Sequence, residues 1–334
     1  MKITVEASEL SIMGLTEVAG RLPGVLRSYR RLRDEIRGFG PDGRKPDLVI
    51  LIDFPDFNLR LAAVAKRAGV PVFYYVSPQV WAWRRYRIKT LARRVDRLAV
   101  VFPFEEELYR GLTDVTFVGH PALETVRTTR SREEVRRELG VPDGTPLVAL
   151  LPGSRGHEMR TLLPPMRAAL DLLDPPAHGV IALAQESLRS LAEEAGQGLP
   201  ALAGQTYDLV AAADLVLVAS GSASLETALL GRPMVILYRL SSMSYWGARA
   251  LVRVPFIGMP NLILGAEVVP ELIQQEVTAE RIAAEARAIL NDPARAAEIA
   301  AGLQKVRRRL GEPGAAARAA GIAAEMIGLS ASLD

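Results

Sequence analysis

The chain has 334 residues, of which 49% are hydrophobic and 24% charged, with a net charge of +3. That balance is ordinary for a folded globular protein and the length suits two domains. Cys is absent and the three His, at 120, 157 and 178, lie far apart. This excludes a disulfide framework, a thiol nucleophile and a Cys-ligated metal, and no HExxH or His/carboxylate cluster suggests zinc.

No apolar run reaches the roughly 18 residues that a membrane span needs. Met1-Lys2-Ile3-Thr4-Val5-Glu6 lacks a signal-peptide core. The expected location is therefore cytoplasmic. The absence of Cys fits a reducing compartment.

Along the chain, short apolar runs alternate with helical stretches, the pattern of βαβ units and parallel sheets. In the first half, strands are predicted at 47–52, 72–76, 97–101 and 115–118, and helices near 59–68, 84–94 and 104–111. Gly119-His120-Pro121 breaks the pattern. Ser131 with Glu134 forms a capping box for a short helix ending at Gly140. A second α/β block has predicted strands near 146–151, 179–184, 215–219 and 233–237. The tail from about 278 is predicted as two or three helices, interrupted at Asn291-Asp292-Pro293 and Gly311-Glu312-Pro313. The expected division is 1–142, 143–312 and a closing helix over 313–334 that packs back on the first domain. Two Rossmann-like halves facing a cleft are the simplest assembly, with ligands at the carboxyl ends of the strands.

Two strand-to-helix corners point to phosphate. Leu151-Pro152-Gly153-Ser154-Arg155-Gly156-His157-Glu158 follows an apolar strand and opens a helix. Backbone N–H groups and the positive helix end face such a corner, and Arg155 adds a planar fork for phosphate oxygens. A second corner lies at Ala219-Ser220-Gly221-Ser222-Ala223-Ser224-Leu225-Glu226. Two corners in one half suggest a diphosphate or nucleotide. Ser154, Gly221, Ser222 and Ser224 are candidate phosphate contacts, although Ser222 and Ser224 also suit helix capping. Glu226 is placed to accept hydrogen bonds from ribose hydroxyls. Tyr238, at the end of the next strand, and Asn261, in a Gly- and Pro-rich loop, would border the same pocket. His157 either helps bind the anion or is simply exposed.

Asp53 follows the apolar strand Asp47 to Ile52 at its carboxyl end, where open α/β sheets place their sites. It is either a turn former or a carboxylate in a cleft, where partial desolvation would raise its pKa and suit it to general-base work. Asp56 or Asn58 is read as the cap of the next helix. His120 is a hinge residue or an alternative base. Between 84 and 97, Arg84, Arg85, Arg87, Lys89, Arg93, Arg94 and Arg97 are opposed only by Asp96, with Tyr74, Tyr75, Trp81, Trp83 and Tyr86 around them. Such a run is either a solvated helix face or a surface for anionic lipid or a phosphorylated substrate, and the aromatic rings favour the second. Nucleic acid is not expected, since no binding motif accompanies the patch.

Six motifs in order resemble the lipid-A-disaccharide synthases. They are Ile52-Asp53-Phe54-Pro55-Asp56-Phe57-Asn58, Tyr75-Val76-Ser77-Pro78-Gln79-Val80-Trp81-Ala82-Trp83-Arg84, Phe117-Val118-Gly119-His120-Pro121, Leu151 to Arg155, Ala219 to Glu226, and Met259-Pro260-Asn261-Leu262. The resemblance implies a GT-B glycosyltransferase that joins UDP-2,3-diacylglucosamine to 2,3-diacylglucosamine 1-phosphate, releases UDP and inverts the anomeric centre. It implies Asp53 as the base, with Arg155 and the helix after Gly221 stabilising the leaving diphosphate. With the diphosphate stabilised in that way no metal is required, and the UDP-sugar is a substrate and not a cofactor. Glu226 would hold the ribose and Asn261 the nucleotide end.

The implied location is the inner face of the cytoplasmic membrane, reached through residues 74–97, and a homodimer is left open. The family pattern opens with a strand, a glycine-rich Ser-Gly-Asp turn and a helix. Here Glu9-Leu10-Ser11-Ile12-Met13-Gly14 comes almost at once. The expectation is an amino-terminal domain lacking its first strand-turn-helix, through a misplaced gene start in preference to a truncated, non-catalytic UDP-sugar-binding relative. A UDP-sugar epimerase of the same architecture is a third reading, disfavoured by the aromatic Ser77 to Trp83 stretch.

Overall fold

The computed structural model describes residues 18–40, 42–81, 86–239 and 255–329. Met1 to Gly14, with the candidate first strand and the Glu9 to Gly14 segment, lie outside the described residues, as do Ala82, Trp83, Arg84 and Arg85. The chain forms two compact units, one of residues 1–120 with 314–334, the other of residues 121–313.

The first unit contains α1 (Val18–Ile36), β1 (Val49–Ile52), α2 (Pro55–Ala68), β2 (Val72–Tyr75), α3 (Arg87–Arg94), β3 (Arg97–Val100), α4 (Pro103–Tyr109) and β4 (Asp114–Phe117). Its sheet is parallel, in the order β1-β2-β3-β4. Side chains alternate across it with the period of two that strands impose. Val72, Tyr74, Leu98 and Val100 pack with Leu61, Ala62 and Ala65 of α2. Phe73 and Ala99 face the other way, onto Ala319, Ile322 and Ala323. Those three belong to the last helix of the chain (Ala315–Met326). The helix is fastened by Arg318, whose Nε and Nη2 donate to Val118 O at 3.0 and 2.8 Å, and by Glu325, 2.8 Å from Arg97.

The second unit runs α5 (Ala122–Thr125), α6 (Arg132–Glu138), β5 (Leu147–Leu151), α7 (Gly156–Asp171), β6 (His178–Leu183), α8 (Arg189–Gly196), β7 (Ala201–Ala203), α9 (Thr206–Ala212), β8 (Leu215–Ala219), α10 (Ser222–Leu229), β9 (Met234–Tyr238), α11 (Met259–Leu264), β10 (Glu271–Ile273), α12 (Ala279–Leu290) and α13 (Pro293–Arg309). Its sheet, β10-β9-β8-β5-β6-β7, is also wholly parallel. Every residue of β5 and β8 is buried, as central parallel strands require.

All eight predicted strands form, within two residues at either end. The three-residue strands β7 and β10 were not predicted, being too short to carry a periodic signal. The predicted boundary at 142 moves to 120, since residues 121–142 belong to the second unit. The reason is electrostatic. Asp208 accepts from Thr129 N and Oγ1, both at 2.7 Å, and from Arg130 N at 3.2 Å. Arg132 and Arg136 pair with Asp214, and Arg136 also reaches Thr145 O. The Ser131–Glu134 capping box forms as expected.

Candidate functional site

In the second sheet the connections turn to opposite sides at β5 and β8, which pair with Leu151 beside Val218. Ligands of open α/β sheets bind at such a switch point. The two glycine corners therefore leave the sheet side by side, and they open onto a cavity of about 650 Å³. Ser154, Arg155, Glu158, Gly221, Ser222 and Glu226 line it, with Tyr207 and Asp208 from α9.

The two corners are not equivalent. Glu158 Oε2 accepts from Ser154 N at 3.0 Å and Arg155 N at 3.3 Å, while Oε1 accepts from Arg155 Nη1 at 3.0 Å. The first helix start is thus occupied by a carboxylate of its own chain. Gly153 permits this: its φ is +114°, and a Cβ there would stand 2.3 Å from Glu158 Oε2. Sequence reading missed Glu158 as the occupant; the signal available was an acid in the first turn of the helix, which the positive helix end favours. The second corner has no such acid. Gly221 takes φ +152°, with nothing within 4 Å of the Cβ position, so space for a ligand stands before the first turn of α10. First-turn N–H groups lack intrahelical partners and favour an anion.

Glu226 is half-buried, and burial pushes its carboxyl above the ordinary range while a hydrogen bond with Tyr207 opposes the shift. Burial and the nearby Glu226 raise the Tyr207 phenol in turn. For Asp208 burial also disfavours charge, but the bonds from Thr129 and Arg130 outweigh it and hold the carboxyl below the usual range.

Two predicted contacts take other tasks. Asn261 is fully buried. Its Nδ2 donates to Val269 O and Glu271 Oε1, and its Oδ1 accepts from Val268 N and Val269 N. With all four positions filled, it braces the 258–271 segment and is not part of the cavity wall. It also lies in α11 and not in a loop. Ser224 is buried and donates to Gly221 O at 2.7 Å, shaping the turn from behind. Tyr238 is half-buried and not part of the cavity wall, and His157 is exposed outside it.

In the first unit the carboxyl edge of the sheet presents Asp53 after β1, Ser77 to Trp81 after β2, Phe102 to Glu105 after β3 and His120 after β4. Asp53 is exposed. Its backbone is unusual. Asp53, Phe54 and Val76 have φ of +47°, +44° and +62°, a region that costs a residue with a Cβ about 1–3 kcal/mol. The turn is held by Tyr74 Oη and Asn58 Nδ2, which both donate to Asp53 O, at 2.5 and 2.7 Å. Asn58 is therefore a turn clamp and Asp56 an ion-pair partner of Arg87; neither caps α2.

His120 packs on Phe102, ring centroids 5.1 Å apart, and burial pushes its imidazole down to about 4. It stands three strand spacings from Asp53, roughly 14 Å along the edge, so the two do not form a dyad.

A profile of the lipid-A-disaccharide synthetase family matches residues 1–326. The lipid-A-disaccharide synthase of Syntrophus aciditrophicus is 47% identical over 331 residues, covering 96% of this chain and 85% of that protein. That of Geobacter sulfurreducens is 42% identical, covering 97% and 85%. The chain belongs to the lipid-A-disaccharide synthase family.

This is a family of glycosyltransferases of lipid A biosynthesis. Solved structures share the fold. The UDP-GlcNAc 2-epimerase of Neisseria meningitidis, bound to UDP-GlcNAc, has a TM-score of 0.63 at 14% identity, covering 95% of this chain and 84% of that one. A glycosyltransferase of Rickettsia africae gives 0.55 at 11% identity, covering 95% and 89%. No helix among the described residues is long and apolar enough to cross a membrane.

The basic stretch that this family member carries is only partly a surface. Tyr74 is buried in the core, and Trp81 packs edge-on against Phe104. Arg87 pairs with Asp56, Arg94 donates to Leu59 O, and Arg97 pairs with Asp114 and Glu325. Of the described cations in the run, Lys89 and Arg93 are exposed on α3 behind the exposed Tyr86.

Proposed function

We propose that this chain condenses UDP-2,3-diacylglucosamine with 2,3-diacylglucosamine 1-phosphate, giving the β-1,6-linked disaccharide 1-phosphate and UDP. The observation that carries the reading is the family match together with the open space before α10, flanked by the exposed Arg155 guanidinium and by Glu226.

The acceptor 6-hydroxyl attacks the donor C1 from the face opposite UDP, and the Asp53 carboxylate takes the hydroxyl proton. The C1–O bond to the diphosphate breaks, and the developing charge is met by the α10 N–H groups and Arg155. Glu226 accepts hydrogen bonds from the ribose. No cofactor takes part, and the UDP-sugar is consumed as a substrate. Both substrates carry acyl chains, so they are drawn from a bilayer. The exposed Lys89 and Arg93 support peripheral attachment to an anionic, inner-face membrane.

The test is a mass-spectrometric assay of the chain with both substrates in detergent. Disaccharide 1-phosphate plus UDP supports the reading. Folded protein that binds UDP and makes no disaccharide sinks it and favours a UDP-sugar-binding relative without transfer.

A further inference from the structure

Glu105 is fully buried, yet it carries a carboxyl group at the carboxyl edge of the first sheet. A capping carboxylate in a first helical turn is ordinarily solvated. This one accepts from Phe102 N at 3.2 Å, closing the start of α4, and its other oxygen accepts from Trp81 Nε1 at 3.2 Å. Ser77, at the opposite end of the same loop, is also buried; its hydroxyl lies 2.7 Å from Tyr109 Oη and donates to Pro78 O. The Trp81 ring meets Phe104 edge-on with centroids 5.2 Å apart, and Phe104 stacks on Phe102. Both ends of the loop after β2 are therefore anchored on α4.

That loop emerges beside Asp53. β1 and β2 are adjacent and parallel, with Ile52 opposite Tyr75, so Asp53 and Val76 leave the sheet side by side. Tyr74 Oη, on the same strand, holds Asp53 O. Any slack in the Ser77 to Trp81 loop is felt next to the Asp53 carboxylate. A buried carboxyl group bonded to two elements is costly unless its partners are fixed.

We infer that Glu105 is a positioning residue: by tying Trp81 to the start of α4 it fixes the Ser77 to Trp81 loop that bounds the acceptor site beside Asp53. The inference rests on Asp53 acting as the base of the proposed transfer. Glu105 itself touches no substrate.

Glu105→Leu fills the volume and removes both acceptors, whereas Glu105→Gln keeps an acceptor for Trp81. The expected result for Glu105→Leu is an acceptor KM raised about tenfold or more, with kcat changed less and the Kd for UDP unchanged. Glu105→Gln restores the acceptor KM to within about threefold of wild type. A folded Glu105→Leu protein with wild-type acceptor KM overturns the inference, as does an equal loss in acceptor KM and UDP affinity. Trp81 emission, read with Trp83 and Trp246 replaced by Phe, supplies an independent measure. A shift in Glu105→Leu that is absent in Glu105→Gln supports the tie, and no shift in either overturns it. If the wild type makes no disaccharide, the proposed transfer falls and the emission alone decides the bracing.

Discussion

Glu158 Oε2 sits 3.0 Å from Ser154 N, so the helix start that looks most like a phosphate site is filled by its own carboxylate. On the proposed reading the diphosphate lies against α10, with Glu158 as an acidic neighbour that also holds Arg155. Glu158→Gln removes the charge and keeps the shape. The expected outcome is a several-fold tighter Kd for UDP by calorimetry, with stability lowered by about 1 kcal/mol through the weakened cap. An unchanged Kd would show that the diphosphate does not come near this corner.

Asp53→Asn keeps the side-chain size, and the strained turn is held through the Asp53 carbonyl, which the substitution retains. Turnover should drop by about 10²–10⁴-fold, the range for loss of a general base, while UDP affinity stays at wild type. A variant that retains a tenth or more of wild-type kcat would remove Asp53 from the chemistry. His120→Asn should cost far less, because a neutral, weakly basic imidazole packed on Phe102 is not placed to share that proton.

Glu226 is the predicted ribose contact that the structure leaves in the cavity wall. Glu226→Gln should weaken UDP binding about tenfold, and weaken 2′-deoxy-UDP much less if the bond is to the 2′-hydroxyl. Because burial raises the Glu226 carboxyl, its charged form is lost on acidification at a higher pH than the ordinary glutamate value of about 4.3. UDP affinity should therefore fall as pH drops toward that value, and the variant should lack this dependence. A calorimetric pH series on both proteins decides it.

What the sequence disclosed and what it hid follow from the reach of each signal. Runs such as Leu147 to Leu151 are apolar because both faces of a central parallel strand are covered, and that is visible locally. Asn261 sits in a family motif but is spent on Val268, Val269 and Glu271, a tertiary fact that no spacing reveals. The unit boundary near 120 is set by Asp208 and Asp214, some eighty residues downstream of the arginines and threonine they hold. Glu105 was hidden because an acid at the third position of a helix reads as a cap. Only its zero exposure and the Trp81 contact mark it as more. The signal available was an acid following the apolar run Leu98 to Phe104.

The stability of the first unit should carry the signature of two buried groups with opposite signs. Burial pushes Glu105 up to about 8, partly opposed by bonds from Phe102 N and Trp81, with Tyr109 the other titratable group facing it. Its folded pKa lies above the unfolded value of about 4.3. Its contribution is therefore full below that value and is lost as pH rises through about 8. His120 behaves in reverse: its contribution is full above about 6.5 and is lost as pH falls through about 4. Between about 4.3 and 6.5 the two oppose each other, and between about 6.5 and 8 Glu105 acts without His120. In that upper window wild-type stability should fall by up to about 2 kcal/mol relative to Glu105→Gln, the limit set by one proton taken up on folding. Urea unfolding of both proteins at pH 6.5, 7.25 and 8 measures the difference. Parallel profiles would mean that Glu105 is charged throughout the window, and the buried neutral carboxyl would have to be abandoned.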